Sequence, residues 1–369
     1  MTDNTLLYKI AVTQIDNIGS ILAKNLVSYC GGVKEIFFKS KAELAKIPGI
    51  GYILANEVVK KEVLIKAEMI LKNLESTKVK TLFYLDDNYP KRLNHFSDSP
   101  LLLYTKGINS FNNKRTLGIV GTRNATIRGK KITEEIIEEI KDFNVTIISG
   151  LAFGIDAIAH KACIKNNMQN IGIMGNGIDI TYPSQHENLR KEIEENGDIM
   201  SEFPMNTKPD KGHFPMRNRI IAGLSDAVLV VESDIKGGSM ITAKMAFNYN
   251  KDVFAIPGRY DDRYSKGTNS LIKSNIASLA ENAKDICKLM DWTKNSLQKP
   301  KQLELFVKLT DNEQKIVDAL KETELDSLSI DKLYHKTKIN IGQLSSILLQ
   351  LEFKGIVENL PGARYMLLR

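Results

Sequence analysis

The sequence has few cysteines and no long apolar run. Its 369 residues include only Cys30, Cys163 and Cys287, which are widely spaced and form no C-x-x-C pair. This spacing argues against a disulfide framework and a zinc site, and it predicts buried, inert thiols. No stretch approaches the roughly 18 apolar residues of a membrane-spanning helix, and the start of the chain lacks the basic and apolar segments of a secretory signal. We therefore expect a cytoplasmic protein without a membrane partner.

The excess of positive charge is small and lies mainly in the middle of the chain. There are 51 Lys and Arg residues against 44 Asp and Glu, which gives a net charge of +7. Residues 1–75 carry a net +2, residues 306–369 are neutral, and residues 76–305 carry the remaining +5. This distribution indicates an anionic partner for the central part of the chain. At roughly 150 residues per domain, the length predicts two or three domains.

Residues 1–75 have a purely helical pattern, with apolar residues three and four positions apart and no alternation typical of strands. Two short glycine turns, Asn17-Ile18-Gly19 and Ile47-Pro48-Gly49-Ile50-Gly51, each lead into an apolar helix. Such turns resemble tandem helix-hairpin-helix elements, also found in SAM-like domains, in which glycine lets the backbone approach a DNA phosphate. Turns that merely end helices of a small bundle explain the glycines equally well, so both interpretations stay open.

Residues 76–292 repeat a strand, a turn and a helix. Five short apolar runs rich in β-branched residues predict strands: 117–120, 145–148, 171–174, 227–231 and 253–256. Continuous apolar strands that alternate with helices indicate a parallel sheet covered on both faces. We therefore predict an α/β domain, an extended Rossmann-like doubly wound sheet. Ligands of such sheets bind at the carboxyl ends of the strands, where functional residues are to be sought.

The C-terminal part begins with a polar linker at residues 293–305, followed by a separate domain at 306–369. Its pattern predicts helices near 312–320, 330–335 and 341–353 and a hairpin over 356–367 that turns at Pro361-Gly362. Three helices followed by a β-hairpin resemble a winged helix-turn-helix. The helix at 341–353 contains no Lys or Arg, so it is poorly suited to hold duplex phosphate. We therefore expect this domain to contact a protein or to have a regulatory role, rather than to bind a specific DNA sequence.

The first strand end carries a cluster of positive charge. Gly121-Thr122-Arg123 follows the strand, and Arg128, Lys130 and Lys131 come before the next acidic residue. Cations near the N-terminus of a helix predict a phosphate site, with a solvated basic face as the alternative. A Walker A loop is excluded, because Asn124 and Lys131 stand where that motif requires Gly and Ser or Thr.

The next strand ends introduce glycines but no recognisable cofactor motif. The second strand ends in Ser149-Gly150, and Asp156 is expected to cap the following helix, with His160 as its hydrogen-bonded structural partner. The third leads to Gly175-Asn176-Gly177, where Ile180 replaces the small third residue of a dinucleotide fingerprint. No NAD or other cofactor, no metal and no catalytic residue is therefore expected.

Two later segments combine features suited to a nucleic acid. Lys211, Phe214, Arg217 and Arg219 lie within nine residues, so they bring positive charges for phosphates together with a ring on which a base can stack. Taken alone, such a cluster is as often a surface network of ion pairs as a binding site. The segment 236–243 is a glycine-rich turn with hydroxyls at the start of a helix, which again suits an anion.

Taken in order, these motifs resemble the DNA-processing protein A (DprA/Smf) family of bacteria. The resemblance rests on Tyr89-Pro90, Pro100, Leu103-Tyr104 and Gly107 ahead of the sheet, and on a series of motifs within it: Gly121-Thr122-Arg123, 149–156, Gly175 with Gly177-Ile178-Asp179 and Tyr182-Pro183, 214–225, 238–243, Pro257-Gly258 and Gly267-Thr268-Asn269. With the helical front and the winged-helix tail, it covers nearly the whole chain.

The family resemblance implies binding of single-stranded DNA without sequence preference, and loading of the RecA recombinase in natural transformation and recombination. It also implies a homodimer and contact with a single-stranded-DNA-binding protein. The residues expected to contact the strand are those that match the family's motifs: Gly121, Thr122, Arg123, Ser149, Gly150, Lys211, Phe214, Arg217, Asn218, Arg219, Gly237, Gly238 and Ser239. Arg123 and Lys211 would hold phosphate and Phe214 would stack on a base. Gly237 stands where many members have Ser, so a hydroxyl contact there is lost.

One enzymatic alternative has a related sheet. Nucleotide phosphoribohydrolases of the lysine-decarboxylase-like type carry a Pro-Gly-Gly-x-Gly-Thr turn followed by a catalytic glutamate. The comparable segment here, 236–244, has neither the glycine before a threonine nor the carboxylate one helical turn further on. We therefore predict a binding protein rather than an enzyme.

Overall fold

The computed structural model describes residues 5–294, 309–321, 327–354, 356–360 and 364–367. These belong to two compact units, residues 1–295 and residues 296–369. The boundary between the units lies in the predicted linker, most of which is outside the described residues. Among the described residues, no helix has the length and apolar content needed to cross a bilayer.

The first unit opens with six helices: α1 (Thr5–Thr13), α2 (Ser20–Cys30), α3 (Val33–Ile36), α4 (Lys41–Leu44), α5 (Gly51–Val58) and α6 (Lys61–Glu75). Both predicted glycine turns are present: Gly19 precedes α2, and Gly49 and Gly51 have positive φ at the start of α5. The helices share one apolar cluster with sheet residues such as Phe83 and Leu102. They therefore belong to the same compact unit as the sheet, and the predicted boundary at residue 75 stays a prediction.

A nine-stranded sheet forms the centre of this unit. Its strands are β1 (Lys80–Phe83), β2 (Leu102–Gly107), β3 (Arg115–Val120), β4 (Val145–Gly150), β5 (Asn170–Met174), β6 (Asp198–Ser201), β7 (Ala227–Val230), β8 (Asp252–Ala255) and β9 (Ser278–Leu279). They lie in the order β1-β2-β6-β5-β4-β3-β7-β8-β9. Strands β3 to β9 are parallel, whereas β2 pairs antiparallel with β6, and β1 with β2. All five predicted strands are confirmed, and Leu103-Tyr104 lies within the sheet rather than ahead of it.

Helices cover both faces of the sheet, as predicted. The helices of this part are α7 (Ile127–Ile140), α8 (Ile155–Lys165), α9 (Glu187–Asn196), α10 (His213–Leu224), α11 (Gly238–Asn248), α12 (Lys266–Lys273) and α13 (Ala283–Leu289). One apolar cluster joins α7, α8 and α13 to the sheet, and another joins α10, α11 and α12. Cys163 and Cys287 are buried free thiols, whereas Cys30 is half-buried.

The second unit contains the three predicted helices and the strands of a hairpin. They are α14 (Asp311–Lys321), β10 (Leu328–Ser329), α15 (Ile330–Thr337), α16 (Ile341–Phe353), β11 (Val357–Leu360) and β12 (Arg364–Leu367). The strands pair in the order β10-β12-β11 around a core that includes Leu333, Leu344 and Leu348. This is a winged-helix arrangement; the turn at Pro361-Gly362 lies outside the described residues.

Candidate functional site

The candidate site lies where the order of the strands reverses. Strand β3 has β4 on one side and β7 on the other, so the connections after β3 and after β7 diverge at this point. A crevice at the carboxyl ends of such strands is where open α/β sheets bind ligands. The crevice holds a cavity of about 280 Å³, which we call the strand-end pocket. It is lined by residues from four connections, among them Gly121, Thr122, Arg123, Asp156, Phe214, Arg217, Asn218, Ser233, Asp234, Gly237, Gly238, Ser239 and Thr242.

The N-terminus of α11 forms one wall of the strand-end pocket. Gly237 occupies the N-cap position and provides no side-chain cap for the first N–H groups of the helix. A Cβ at Gly238 would meet nothing within 4 Å, so a ligand can approach the backbone there. Uncapped N–H groups and the helix dipole favour an anion at this position.

Arg217 forms the base of the pocket and is 5% exposed. Its Nη1 donates to the Ile173 carbonyl at 2.5 Å, whereas its Nε has no hydrogen-bond partner among the described residues. A Cβ on Gly150 would lie 1.9 Å from Nη1, so the glycine makes room for the guanidinium. Gly150 therefore makes room for Arg217, whereas the sequence predicted that Gly150 itself contacts the strand.

Asp156 adds a carboxylate to the same pocket and is 6% exposed. Burial raises its pKa to about 6, against the opposing effects of the Arg217 guanidinium, the Ala152 N–H and Arg123. Asp156 lies in the first turn of α8, but the N-cap residue of that helix is Gly154, so the predicted capping role is wrong.

An aromatic surface adjoins the strand-end pocket at Phe214, which lines both. The Arg123 guanidinium lies 5.3 Å from the centre of the Phe214 ring, a cation–π distance. The Tyr182 ring also lies beside Phe214, with ring centres 5.7 Å apart. A smaller pocket lined by Phe153, Tyr182, Phe214 and Arg123 therefore borders the strand-end pocket. An anion and a flat ring can be held side by side here.

The structure brings nine of the thirteen predicted site residues to the strand-end pocket and places the other four elsewhere. Gly150 and Ser149 lie beneath it; the Ser149 hydroxyl is buried and donates to the Ile119 carbonyl at 2.6 Å, so it is not free for a ligand. Lys211 is exposed and lines neither pocket.

Arg219 faces away from the strand-end pocket, so the prediction that it lines the same groove is wrong. It forms an ion pair with Glu202 and borders a different cavity, beside Gly19 and Ser20. Positions 217 and 219 are about 200° apart around a helix, so they project to opposite sides of α10.

The phosphate site predicted at the start of α7 is also absent. The Glu232 carboxylate accepts hydrogen bonds there from the Thr126 N–H at 3.0 Å and from the Thr126 hydroxyl. It occupies the space beside Gly129, where a Cβ would lie 2.3 Å from Oε2. An internal anion thus takes the position that an external one needs. Lys130 and Lys131 form ion pairs with Glu134 and Glu135.

His160 has a structural role, although its predicted partner is wrong. Its ring nitrogens contact the Asn170 side chain at 2.8 Å and the Gly150 carbonyl at 2.9 Å, rather than Asp156. Burial lowers the pKa of His160 to about 4, so the ring is neutral at physiological pH.

Sequence reasoning missed three contributors to the site. Tyr182 and Phe153 lie within motifs that carry the family resemblance but were not named as site residues, yet both are exposed beside Phe214. Asp156 was selected only as a helix cap. Their positions in the sequence could have identified them, since all three residues follow strand ends.

Family models match both parts of the chain. Residues 80–291 match the model described as DNA recombination-mediator protein A, and residues 303–363 match the DprA winged helix domain. The chain belongs to the DprA/Smf family. The Smf protein of Synechocystis is 30% identical over 99% of both chains, and the DNA processing protein DprA of Bacillus subtilis is 40% identical over 54% of this chain and 68% of its own.

Solved DprA structures share the fold. The crystal structure of DprA from Streptococcus pneumoniae has a TM-score of 0.65 and 29% identity, and it covers 78% of this chain and 98% of its own. The structure of DprA from Helicobacter pylori, a protein described as having a unique single-stranded DNA binding mode, has a TM-score of 0.54 and 31% identity over 59% of this chain and 99% of its own. The chain is thus a DprA/Smf protein with an α/β sheet and a winged helix.

Proposed function

We propose that the protein binds single-stranded DNA without sequence preference, with a phosphate in the strand-end pocket and a base against Phe214. The observation that carries this proposal is the convergence of the uncapped α11 N-terminus, Arg217 and Arg123 beside an aromatic surface. Backbone N–H groups and guanidinium groups suit phosphate, and ring faces accept any base. The single-stranded DNA binding mode described for the Helicobacter pylori relative supports the same ligand here.

We further propose that the DNA-bound protein, as a homodimer, loads the RecA recombinase during recombination and natural transformation. The family model's description as a recombination mediator supports this role. The expected result is that the protein speeds RecA assembly on DNA coated with single-stranded-DNA-binding protein. No acceleration at saturating protein would refute the loading role and leave DNA binding intact.

Fluorescence anisotropy with labelled oligonucleotides tests the DNA-binding proposal. We expect tighter binding to a single strand than to a duplex, and weaker binding after Arg123→Ala combined with Lys211→Ala. If Arg123, Arg217 and the exposed Lys211 each hold a phosphate, the slope of log K against log salt should be about −2, at roughly 0.7 for each contact on a single strand. The combination Lys130→Ala with Lys131→Ala is the matched control, because these cations lie on α7 and form ion pairs with glutamates.

Equal affinity for duplex and single strand, or equal losses of affinity in the test and control variants, would refute the assignment of the strand-end pocket as the DNA-binding site. The phosphoribohydrolase alternative has its own measurement, the release of free base from nucleoside monophosphates. We expect none, because Asp156 is buried beside Arg217 and Asp234 is held by Arg263.

A further inference from the structure

Asp156 is the least expected residue of an anion pocket, because its carboxylate repels a phosphate. Two carboxylates line the strand-end pocket among the residues that the structure describes, and they differ in environment. The Arg263 guanidinium donates to Asp234 at 2.8 Å, and this bond lowers the pKa of that carboxyl. Asp156 is buried and has no basic side chain within 4 Å among the described residues.

The charged and titratable groups that surround Asp156 come from four elements. Arg217 lies on α10, Arg123 follows β3, Asp234 follows β7, and His160 lies one turn further along α8. His160 is engaged by Asn170 and Gly150, and Asp234 by Arg263. The charges that face an entering phosphate are therefore two guanidinium groups and the Asp156 carboxylate.

We propose that binding of a DNA phosphate in the strand-end pocket is coupled to uptake of a proton by Asp156. This inference rests on the proposed function. With Asp156 ionised, the pocket holds one net positive charge; with Asp156 neutral, it holds two. A phosphodiester brings a further negative charge close to a buried carboxylate, which favours the protonated form. By reciprocity, protonation of Asp156 strengthens phosphate binding by the same factor.

The size of the effect follows from the starting pKa of Asp156, about 6. If a bound phosphate raises that pKa by one unit, affinity changes by up to about tenfold between pH 8 and pH 5. Affinity rises as the pH falls, because the bound state holds more protons. This direction is informative, because ordinary surface carboxylates titrate near pH 4 and change little across this range.

The test is the affinity for a labelled oligothymidylate between pH 5 and pH 8 at fixed ionic strength, for the full chain and for Asp156→Asn. The variant is expected to bind about tenfold more tightly than the natural protein at pH 8, and to lose most of the pH dependence. Asp234→Asn is the matched control: it removes a carboxylate from the same pocket, but one already held by Arg263. It should keep the natural pH dependence.

His213 lies next to Phe214 at the start of α10, and a variant at this position is a second control. Its ring stacks on Phe203, with centres 4.1 Å apart. His213→Gln should leave the pH dependence in place. If this variant abolishes the dependence, or if Asp156→Asn retains it, the proposal is overturned.

A direct measurement covers the case in which Asp156→Asn does not fold. Calorimetric titration of the natural protein at pH 6.5, in two buffers of different ionisation enthalpy, gives the number of protons taken up. We expect about half a proton for each site, from a one-unit rise in pKa on binding. Binding with no proton exchange refutes this coupling and leaves the proposed function standing, whereas absence of binding at every pH refutes both.

Discussion

The closest contact in the site gives the sharpest test of the role of Arg217. In Gly150→Ala, the new methyl group would lie 1.9 Å from Arg217 Nη1 and 2.5 Å from its Cζ. The backbone at Gly150 is not in the positive-φ region, so alanine introduces a steric problem and no strain. The guanidinium must therefore move from its observed position and lose its hydrogen bond to the Ile173 carbonyl.

Two effects of this change can be estimated. Overpacking in a filled interior costs about 1–3 kcal/mol, and losing a hydrogen bond from a charged donor costs about 1.5–3 kcal/mol. We expect the free energy of unfolding to fall by a few kcal/mol. If Arg217 holds a phosphate, affinity for a single strand should fall about ten- to hundredfold, and the salt slope should become shallower by about 0.7.

Urea unfolding and anisotropy titrations over a range of salt concentrations measure these quantities. Gly118→Ala is the matched control, because its methyl group would lie 2.6 Å from the Ser225 hydroxyl, within the same sheet but away from the pocket. The Gly118→Ala protein should have a lower free energy of unfolding than the natural protein, but its affinity for a single strand should depend on salt with the natural slope. A Gly150→Ala protein that binds with the natural affinity and slope would show that Arg217 does not hold phosphate from its observed position.

Three further variants separate the other parts of the site. Phe214→Ala should weaken single-strand binding by about 1–3 kcal/mol with the salt slope unchanged, because stacking releases no counterions; a changed slope in anisotropy titrations would contradict this role. Gly238→Ala should leave thermal stability unchanged or slightly raised but weaken binding, since its methyl group meets open space at the α11 N-terminus; natural affinity in anisotropy titrations would contradict the role of this terminus. Asp156→Asn should raise the free energy of unfolding at pH 7.5 by about 3 kcal/mol, from a pKa raised to about 6. That gain should fade between pH 6 and pH 4 in urea titrations, because the natural carboxyl then becomes neutral; a gain that does not depend on pH would refute it.

The strands that could be predicted from sequence are those buried on both faces. Continuous apolar runs predicted β3, β4, β5, β7 and β8, because only a covered parallel sheet buries such runs. Strand β6 was missed because it begins with Asp198, whose carboxylate accepts the N–H groups of Asn109 and Ser110. Strand β9 has two residues, and so short a run gives no periodicity.

The position of the site could be predicted from the sequence, but the directions of some of its side chains could not. The strand-end rule located Gly121, Arg123 and Gly238, because it depends only on topology. The opposite directions of Arg217 and Arg219 follow from helical periodicity and could have been predicted. The Glu232 carboxylate beside Thr126 could not, because the two residues are 106 positions apart and meet only in the folded chain.

The Glu232 contact explains why one helix N-terminus and not the other borders the pocket. Both α7 and α11 begin close to the carboxyl ends of β3 and β7 and could in principle attract a phosphate. At α7, Glu232 supplies the anion from within the chain, and its backbone carbonyl also accepts the Thr122 N–H at 2.7 Å. The same residue thus closes one anion position and fixes the turn that carries Arg123 toward the other.

The hydrogen bonds within the pocket also favour a ligand recognised without regard to sequence. The Ser239 hydroxyl donates to Ser233 at 2.8 Å, and the Asn218 amide donates to the Gly238 carbonyl at 3.4 Å. These neutral side chains, the type that reads base edges, are engaged within the protein. Beside them, the pocket offers a ligand the N–H groups of the α11 terminus, two guanidinium groups and the Phe214 ring. Such groups hold a phosphate and stack on any base, so they bind a strand with an affinity that does not depend on its sequence.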